Sequence, residues 1–354
     1  MTLRVIIYRL GVIPLLLLLC FLAACSQLDL DQEEQGMVSL KVLASPGTKA
    51  GEGGTATATL PAKETDIFDL SIFIFNSKGD VIGFTSKDFS DGKPTAVDVK
   101  TRKATGCSVY AVANAKTLNK NGTSPFDGVS TLSVFKTKYL SFTDAKAPND
   151  DKCLLMMGVS SDFDTSSAGS ATITLKRLAS RIDYTITVNN DKTTDKTIGF
   201  PIVVDSYQLR NVPTSTLYQQ SDFTNPSMPS STTFADLAKV PTSISSVAAP
   251  TSAGTYYVYA NNGTSKETYL DIQAHSEVQG ADGTKYTVWK SNFKVEMPDK
   301  HVLPNYHYKI DIVINGSVTG KNGGVITKYE AYPYFSGSIL NPWGPNENRN
   351  LDLQ

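Results

Sequence analysis

The stretch MVSLKVLASPGTKAG, residues 37–51, decides how this chain is organised. Val38, Leu40 and Val42 alternate with polar residues, and a two-residue period of this kind predicts a strand with one buried face. A Pro-Gly turn and several small residues follow, so the strand leads into a soft segment that a protease can enter. The stretch therefore predicts a removable first strand, whose loss would leave an apolar groove open to a strand from another chain.

The sequence upstream of this stretch is typical of a secretion signal. Arg4 and Arg9 precede a nearly uninterrupted apolar run over residues 10–24, which is too short to span a bilayer comfortably. The run ends in Leu-Ala-Ala-Cys, which resembles the bacterial lipobox. Residues 1–24 are therefore predicted to be a lipoprotein signal peptide, with Cys25 as the first mature residue and the carrier of several acyl chains such as palmitate, enough for stable anchoring. An ordinary signal peptide followed by an incidental cysteine is the alternative.

Residues 25–36 form a short acidic segment, SQLDLDQEEQG after the cysteine, with too few apolar residues for a core. We expect it to be a solvated tether. It also resembles the acidic tracts that direct surface lipoproteins outward in Bacteroidetes-type bacteria.

Length, charge and composition narrow the class of protein. A chain of 354 residues is long enough for two domains, each with its own core. The 33 Lys and Arg residues nearly balance the 34 Asp and Glu residues, so the charge does not indicate a nucleic-acid partner. Thr, Ser, Val, Ile, Tyr and Phe are abundant, and these residues suit strands better than helices. The 17 prolines and 25 glycines fit many turns, so the prediction is an all-β fold.

Apolar and alternating runs predict the strands of both halves. In the first half they lie at residues 67–75, 81–84, 107–114, 153–159 and 171–175, with a short helix or a loop within 126–139. In the second half they lie at residues 182–188, 202–209, 255–260, 268–274, 286–297 and 306–315. Residues 218–253 are rich in Ser, Thr and Pro and weakly patterned, which predicts a long surface loop.

Two cysteines, Cys107 and Cys153, remain in the body of the exported chain, because Cys20 leaves with the signal peptide. An exported protein can join such residues in a disulfide, but the sequence does not say whether their strands are neighbours. Two buried free thiols are the alternative, and we favour it.

The sequence offers little support for an enzyme. It has no HExxH, CxxC, GxSxG or phosphate-loop spacing, so we predict no catalytic residues, no metal and no cofactor. Of the three histidines, His275 stands alone in the sequence, whereas His301 and His307 flank a turn. Residues 149–151 are a polar loop that could bind calcium, although a solvated turn is the simpler interpretation. The run of tyrosines at 256–259 could stack on sugars if exposed, but alternation places at least one of them in a core.

Several runs, spread over nearly the whole mature chain, together resemble the fimbrillin (type V pilin) family of Bacteroidetes, in its FimA/Mfa-like branch. Each run is weak evidence alone, but they follow the family's order. They are LSIFIFNSKGDVIG at 70–83, VYAVANA at 109–115, LLMMG at 154–158, LKRLASRIDYTI at 175–186, LRNVP at 209–213, YYVYANN at 256–262 and LPNYHYKIDIVING at 303–316. The resemblance implies two tandem transthyretin-like Greek-key β-sandwich domains, at 50–175 and 176–354, and assembly into thin fimbriae at the outer membrane and cell surface.

The resemblance also implies a processing step. Family members are exported as lipoproteins, and an arginine-directed protease cuts after the first strand. The corresponding bond here joins Lys49 to Ala50, so residues 37–49 would be the removable strand. Lysine replaces the usual arginine, and the processing enzyme must therefore accept lysine or the cut does not occur. The vacated sheet edge could then receive the C-terminal strand of a neighbouring subunit by β-augmentation.

The position in the fibre depends on the donor tail. Residues 331–354 are the candidate tail, but prolines interrupt it, and beyond Leu340 it is a poor donor because proline gives no ladder hydrogen bond. Residues 334–340 are more simply the last strand of the second domain. A weak donor with a cut site favours a tip or accessory subunit with a role in adhesion.

The partners expected on this interpretation are other fimbrial subunits, the outer membrane through the lipid before processing, and a host or bacterial surface ligand. The alternatives are a monomeric surface lipoprotein that binds a glycan or host protein, and a lipid-held anchor subunit.

Overall fold

The structure, a computed structural model, describes residues 35–44, 60–94, 96–143, 147–149, 151–166, 169–190, 201–245, 250–315, 325–333 and 349–351. Within these ranges the chain is almost entirely β, which confirms the predicted all-β class. The described residues contain no helix that is both long and apolar enough to cross a membrane.

The first half contains eight strands and two short helices among its described residues. The strands are β1 (Gln35–Ala44), β2 (Asp69–Phe75), β3 (Val81–Asp88), β4 (Val97–Arg102), β5 (Cys107–Ala113), β6 (Tyr139–Ser141), β7 (Met156–Phe163) and β8 (Gly169–Arg177). The helices are α1 (Ala115–Leu118) and α2 (Leu132–Thr137), and a 3-10 turn (Ala62–Glu64) precedes β2.

The second half begins directly after β8. Its strands are β9 (Ala179–Asn189), β10 (Ile202–Arg210), β11 (Val212–Pro213), β12 (Ser215–Leu217), β13 (Phe234–Ala235), β14 (Val240–Ile244), β15 (Thr251–Tyr259), β16 (Tyr269–Gln279), β17 (Lys285–Glu296), β18 (Tyr306–Asn315), β19 (Val325–Pro333) and β20 (Arg349–Leu351). A 3-10 turn (Pro298–Lys300) follows β17.

The strands of the first half, except β6, form one sheet in the order β1-β4-β3-β2-β5-β7-β8. The sheet closes on itself because β1 pairs with both β4, antiparallel, and β8, parallel. The second half forms a four-stranded sheet, β14-β10-β16-β17, and a five-stranded sheet, β15-β9-β18-β19-β20. A short antiparallel pair, β6 with β12, joins the two halves.

Three clusters of buried apolar side chains hold these sheets together. One fills the closed sheet and includes Val38, Leu40 and Val42. A second lies on the outer face of that sheet, where Phe126 and Phe135 contact Phe73, and it includes Tyr218 and Tyr259 of the second half. The third lies between the two sheets of the second half. Side chains alternate along each strand, so each sheet turns one face towards a core.

The structure corrects several predicted elements. Residues 218–253 are not one loop, because β13, β14 and the start of β15 lie within them. The strand predicted at 153–159 begins only at Met156. The strand β4 was not predicted from the sequence, although its burial alternates cleanly.

The predicted elements that the structure confirms include the hairpin at residues 76–80 and the short helix within 126–139. In the hairpin, the backbone N–H of Asn76 donates to the carbonyl oxygen of Asp80 at 3.0 Å, and the Asn76 side chain accepts from two backbone N–H groups of the turn. The helix is α2, and the Thr131 hydroxyl caps its first turn by accepting from the Val134 N–H.

Cys107 and Cys153 are both buried and are not joined to each other. They lie in different clusters, Cys107 inside the closed sheet and Cys153 on its outer face. This separation explains why the disulfide alternative does not occur. Burial raises the pKa of the Cys107 thiol, so this residue is held as a neutral apolar group.

Candidate functional site

The candidate site is the slot that β1 occupies in the closed sheet. Residues 35–40 pair with residues 102–97 of β4, and residues 38–44 pair with residues 169–175 of β8. The strand is thus hydrogen-bonded along both edges and completes the sheet. A strand in this position is a structural part of the first half, not an appendage.

The side chains of β1 follow the predicted two-residue period. Val38 and Leu40 are 0% exposed and Val42 is 1% exposed, whereas Met37 and Leu43, on the opposite face, are 50% and 45% exposed. Burying one aliphatic side chain of this size contributes about 1.5–3 kcal/mol. The three together contribute about 5–9 kcal/mol, in addition to the ladder hydrogen bonds.

The walls and floor of the slot are apolar. The same core contains side chains from each of the six remaining strands of the closed sheet. Among them are Ile72, Ile74, Val97, Val99, Val109, Ala111, Met156, Ile173 and Leu175. These apolar groups do not by themselves select one particular strand. A replacement strand therefore needs three apolar side chains at alternate positions and a free backbone edge on each side.

The strand β8 forms the side of the slot that pairs with β1 in parallel, and we call it the parallel wall. Apart from β1, its only partner strand in the described part of the closed sheet is β7. It pairs with β7 only through Met156↔Arg177 and Met157↔Lys176. Gly158 lets the two strands cross closely, because a Cβ atom there would lie 2.7 Å from both Ile173 Cγ2 and the Thr174 carbonyl oxygen. Most of the pairing of β8 is with β1.

A buried carboxylate lies near the start of the segment that follows the soft stretch. Glu64 is 0% exposed; its Oε1 accepts from the Tyr257 hydroxyl at 2.8 Å and from Arg181 Nη1 at 3.2 Å. Burial raises the pKa of Tyr257, and the neighbouring Glu64 carboxylate raises it further. Sequence patterning missed this group, because an acidic residue in a turn is typical of a solvated position.

The residues predicted to be processed lie outside the described residues. These are Cys25 and the Lys49–Ala50 bond, and most of the candidate donor tail also lies outside the described residues. In the tail region the structure describes β19, which pairs with β18, and β20, which pairs with β19. The predicted strand at 334–340 is not among the described residues, whereas β19, immediately before it, was not predicted.

The polar groups that could have indicated chemistry have structural partners. His275 does not stand alone, because its Nδ1 lies 2.8 Å from Asp205 Oδ1. The side chain of Asn149 bonds the backbone N–H and carbonyl of Tyr257, so it is a partly buried structural contact and not a simple solvated turn. Tyr257 and Tyr259 are buried, which leaves no exposed tyrosine ladder at 256–259. Among the described residues no group of three or more His, Cys, Asp or Glu residues is placed to hold a metal ion.

A second carboxylate network lies on β9. Asp183 accepts from Arg181 Nε at 3.0 Å and from the Thr255 hydroxyl at 2.7 Å, and it lies 2.6 Å from His307 Nε2. Burial by itself raises the pKa of Asp183, but the hydrogen bonds from His307, Arg181 and Thr255 outweigh it and lower the pKa below its ordinary value. This network ties β9 to both of its neighbours, β15 and β18.

Together, these observations define a β-rich protein whose first strand completes a closed sheet. Residues 37–204 match the family model described as major fimbrial subunit protein (FimA). Over this part of its sequence the chain is similar to the FimA-like fimbrillins of Bacteroidetes. The family consists of structural subunits of cell-surface fimbriae.

Solved structures share the fold over most of the chain. A candidate cell adhesion protein from Parabacteroides distasonis aligns with a TM-score of 0.60 at 18% identity, over 84% of this chain and 97% of its own. A similar protein from Bacteroides eggerthii aligns with a TM-score of 0.59 at 18% identity, over 84% of this chain and 95% of its own. A fimbrilin (FimA) from Porphyromonas gingivalis aligns with a TM-score of 0.51 at 14% identity, over 86% and 98%. No curated protein sequence matches this chain.

Proposed function

We propose that this chain is a structural subunit of a cell-surface fimbrium, at its tip or in an accessory position, with a role in adhesion. It is exported as a lipoprotein through Cys25. It becomes competent for assembly when cleavage at Lys49–Ala50 lets β1 leave, and a strand from a neighbouring subunit then fills the slot. The observation that carries the proposal is that β1 is paired on both edges and inserts three buried side chains into the core of the first half.

The geometry supports strand exchange for an energetic reason. Loss of β1 would expose two sheet edges and an apolar trough, which is unfavourable in water. A strand of the same pattern would recover the same burial and the same ladder bonds. Exchange between like strands therefore changes little free energy overall, while the empty slot strongly favours being filled.

We further propose that the two halves are tandem transthyretin-like Greek-key sandwich domains, at 50–175 and 176–354, after a tether at 25–36 and the removable segment at 37–49. The pairing of the first strand in each half supports this relation. Each has one antiparallel and one parallel neighbour: β1 lies between β4 and β8, and β9 lies between β15 and β18. The strand ends differ from the proposed bounds by two residues at each place, because β1 begins at Gln35, within the tether, and β8 ends at Arg177, beyond residue 175.

The poor quality of the candidate C-terminal donor strand supports a tip or accessory position. Between residues 333 and 345 the candidate tail at 331–354 contains three prolines, which cannot donate a ladder hydrogen bond, and two glycines, which weaken a strand. A subunit with an open slot and a poor donor strand can accept a neighbour but not continue the fibre, and it therefore ends it.

The direct test is the N-terminal residue of the protein in sheared fibres, measured by mass spectrometry. The proposal predicts a chain that starts at Ala50 and lacks residues 35–44. The variant Lys49→Ala should keep lipidated Cys25 as its N-terminus and stay out of the fibre fraction. Lys41→Ala, which changes an exposed lysine of β1, is the matched control and should be processed normally.

Two results would contradict the proposal. If the wild-type protein in fibres starts at lipidated Cys25, the chain is a lipid-held anchor subunit. If it is absent from fibres and remains a monomer at the surface, it is a surface lipoprotein that binds a glycan or host protein.

A further inference from the structure

We propose that Arg177 is a positioning residue for strand exchange. It fastens the end of β8 to Glu64 and Asn305, so that the parallel wall of the slot stays in place after β1 has left. This inference rests on the proposed function, and it concerns how the empty slot is kept ready for an incoming strand.

The need for such an anchor follows from the pairing of β8. Residues 169–175 of β8 pair with β1, whereas only Lys176 and Arg177 pair with β7. When β1 leaves, the backbone of β8 loses its partner strand over residues 169–175. Without another attachment, this segment would gain conformational entropy by leaving the sheet, and the slot would lose one wall.

Arg177 provides the attachment at the end of β8. Its side chain is 1% exposed, and its Nε donates to the backbone carbonyl oxygen of Glu64 at 2.7 Å. The Oδ1 of Asn305 accepts from the backbone N–H of Arg177 at 3.0 Å and from Nη1 at 3.4 Å. A buried guanidinium is stable only with such partners, and these partners come from outside the closed sheet.

The two partners of Arg177 are themselves held. The carboxylate of Glu64 bonds Arg181 and Tyr257 of the second half, as described above. The backbone N–H of Asn305 donates to the carbonyl oxygen of Ala179 at 3.2 Å. Asn305 has a positive φ of 62°, a conformation that asparagine tolerates better than most residues. None of these contacts involves β1, so its removal leaves them intact.

Contacts along β8 complete the attachment. Ile173 and Leu175 are buried in the core of the closed sheet, and Gly158 of β7 allows their close approach. These contacts hold side chains of β8, whereas the hydrogen bonds of Arg177 hold the backbone at the C-terminal end of the strand. With that end fixed, the wall presents its free edge in nearly the register that β1 used. An incoming strand then pairs without first ordering the wall, which favours fast association.

The test measures binding of a synthetic peptide of residues 35–44 to the full chain after cleavage. A specific protease site is placed within residues 45–59, the chain is cut, and the released first strand is washed out. Wild-type protein should bind the peptide. In Arg177→Met, association should slow and apparent affinity should fall about tenfold, since a wall that is ordered a tenth of the time lowers affinity by that factor.

Two further variants separate positioning from general stability. Arg177→Lys keeps the charge but not the planar fork, and it should restore part of the association rate. Arg210→Met is the matched control, because Arg210 bonds Asp236 and Asp271 in the second half. It should leave peptide association unchanged even where it lowers the overall stability.

The distance between β4 and β8 shows directly whether the β8 wall stays ordered in the empty slot. Spin labels at Lys100 and Thr172, two exposed positions on β4 and β8, lie on opposite walls of the slot. In the empty wild-type protein their distance distribution should stay narrow; in Arg177→Met it should broaden, and added peptide should narrow it again. If Arg177→Met fails to fold, Asn305→Ala, which removes only the side-chain acceptor, takes its place.

The outcomes distinguish the inference from the function on which it rests. Equal association rates and equally narrow distributions in wild type and Arg177→Met would overturn the role of Arg177. Failure of the wild-type slot to bind the peptide at all would instead overturn strand exchange in this chain.

Discussion

The two halves of the molecule use the same arrangement for their first strand but connect it differently. Both β1 and β9 lie between an antiparallel and a parallel neighbour, and both bury alternate side chains. The strand β9, however, continues from β8 after a single residue, whereas β1 is joined to the rest of the chain only through residues 45–59. One cut can therefore release β1, and no single cut can release β9.

This difference indicates that a first strand can be released because of how it is connected to the chain, and not because it packs weakly. The buried positions of β1 are as inaccessible as those of β9, where Ile182 and Ile186 are 0% exposed. Under the proposed processing, a first strand that completes the sheet before cleavage would become a separate peptide afterwards. Such a chain would combine a stable form for export with a second form whose slot is open to a partner strand.

The largest expected effect comes from a charge placed in the core position of β1. In the unprocessed chain, Leu40→Asp should destabilise the first half by more than about 4 kcal/mol, because the carboxylate would be buried without a partner. Chemical denaturation with a probe in each half would measure it. Lys41→Asp, next to it on the exposed face, should change stability by no more than about 0.5 kcal/mol.

A buried charge in β9 tests whether the two first strands differ in the way their connections predict. Ile186→Asp should disrupt the second half both before and after processing, since β9 stays in the chain. Leu40→Asp can act only before processing. If Leu40→Asp has no effect on the unprocessed chain, β1 is not the structural strand described here.

A smaller effect is expected at the crossing of β7 and β8. Gly158→Ala would place a methyl group 2.7 Å from Ile173 Cγ2 and from the Thr174 carbonyl oxygen. The neighbours must shift, which costs about 1–3 kcal/mol. Thermal unfolding of the first half would show the loss, and Ser160→Ala, also on β7 but without this contact, should change it little. An unchanged melting temperature would contradict the close approach that fixes β8.

The parts of this fold that the sequence could predict are those that depend on local patterning. The alternation of Val38, Leu40 and Val42 predicted both the first strand and its buried face. The strand β14 was missed because its burial alternates between exposed and half-buried residues, with only Ile244 buried at its end. Such a strand at the edge of a sheet leaves little hydrophobic signal.

The slot itself could not be predicted from patterning. The parallel pairing of β1 with β8 joins residues about 130 positions apart, and no local pattern encodes that register. Nor does the run LKRLASR distinguish its two arginines, of which Arg177 is buried and Arg181 is partly exposed. Their roles depend on partners, Glu64 and Asn305, that only the folded chain brings together.

The smallest effect concerns pH and is confined to the second half. The folded state lowers the pKa of Asp183 through bonds from Arg181, Thr255 and His307, so ionised Asp183 stabilises the fold. That contribution is complete above the unfolded pKa of about 3.9 and is lost as pH falls through the lower folded pKa. Unfolding of the second half should therefore become easier as pH drops below about 4. Asp183→Asn should flatten this dependence, and an unchanged pH profile in that variant would contradict the network.

The most direct test of the central claim is hydrogen exchange of the full chain before and after a specific cut within residues 45–59, with the first strand removed. The account predicts that amides of β4 and β8 that face β1 lose protection, while those of β15 and β18 that face β9 keep it. Added peptide of residues 35–44 should restore protection in the first half. Unchanged protection of β4 and β8 after removal, or loss of protection in both halves, would contradict a detachable first strand that leaves a defined slot.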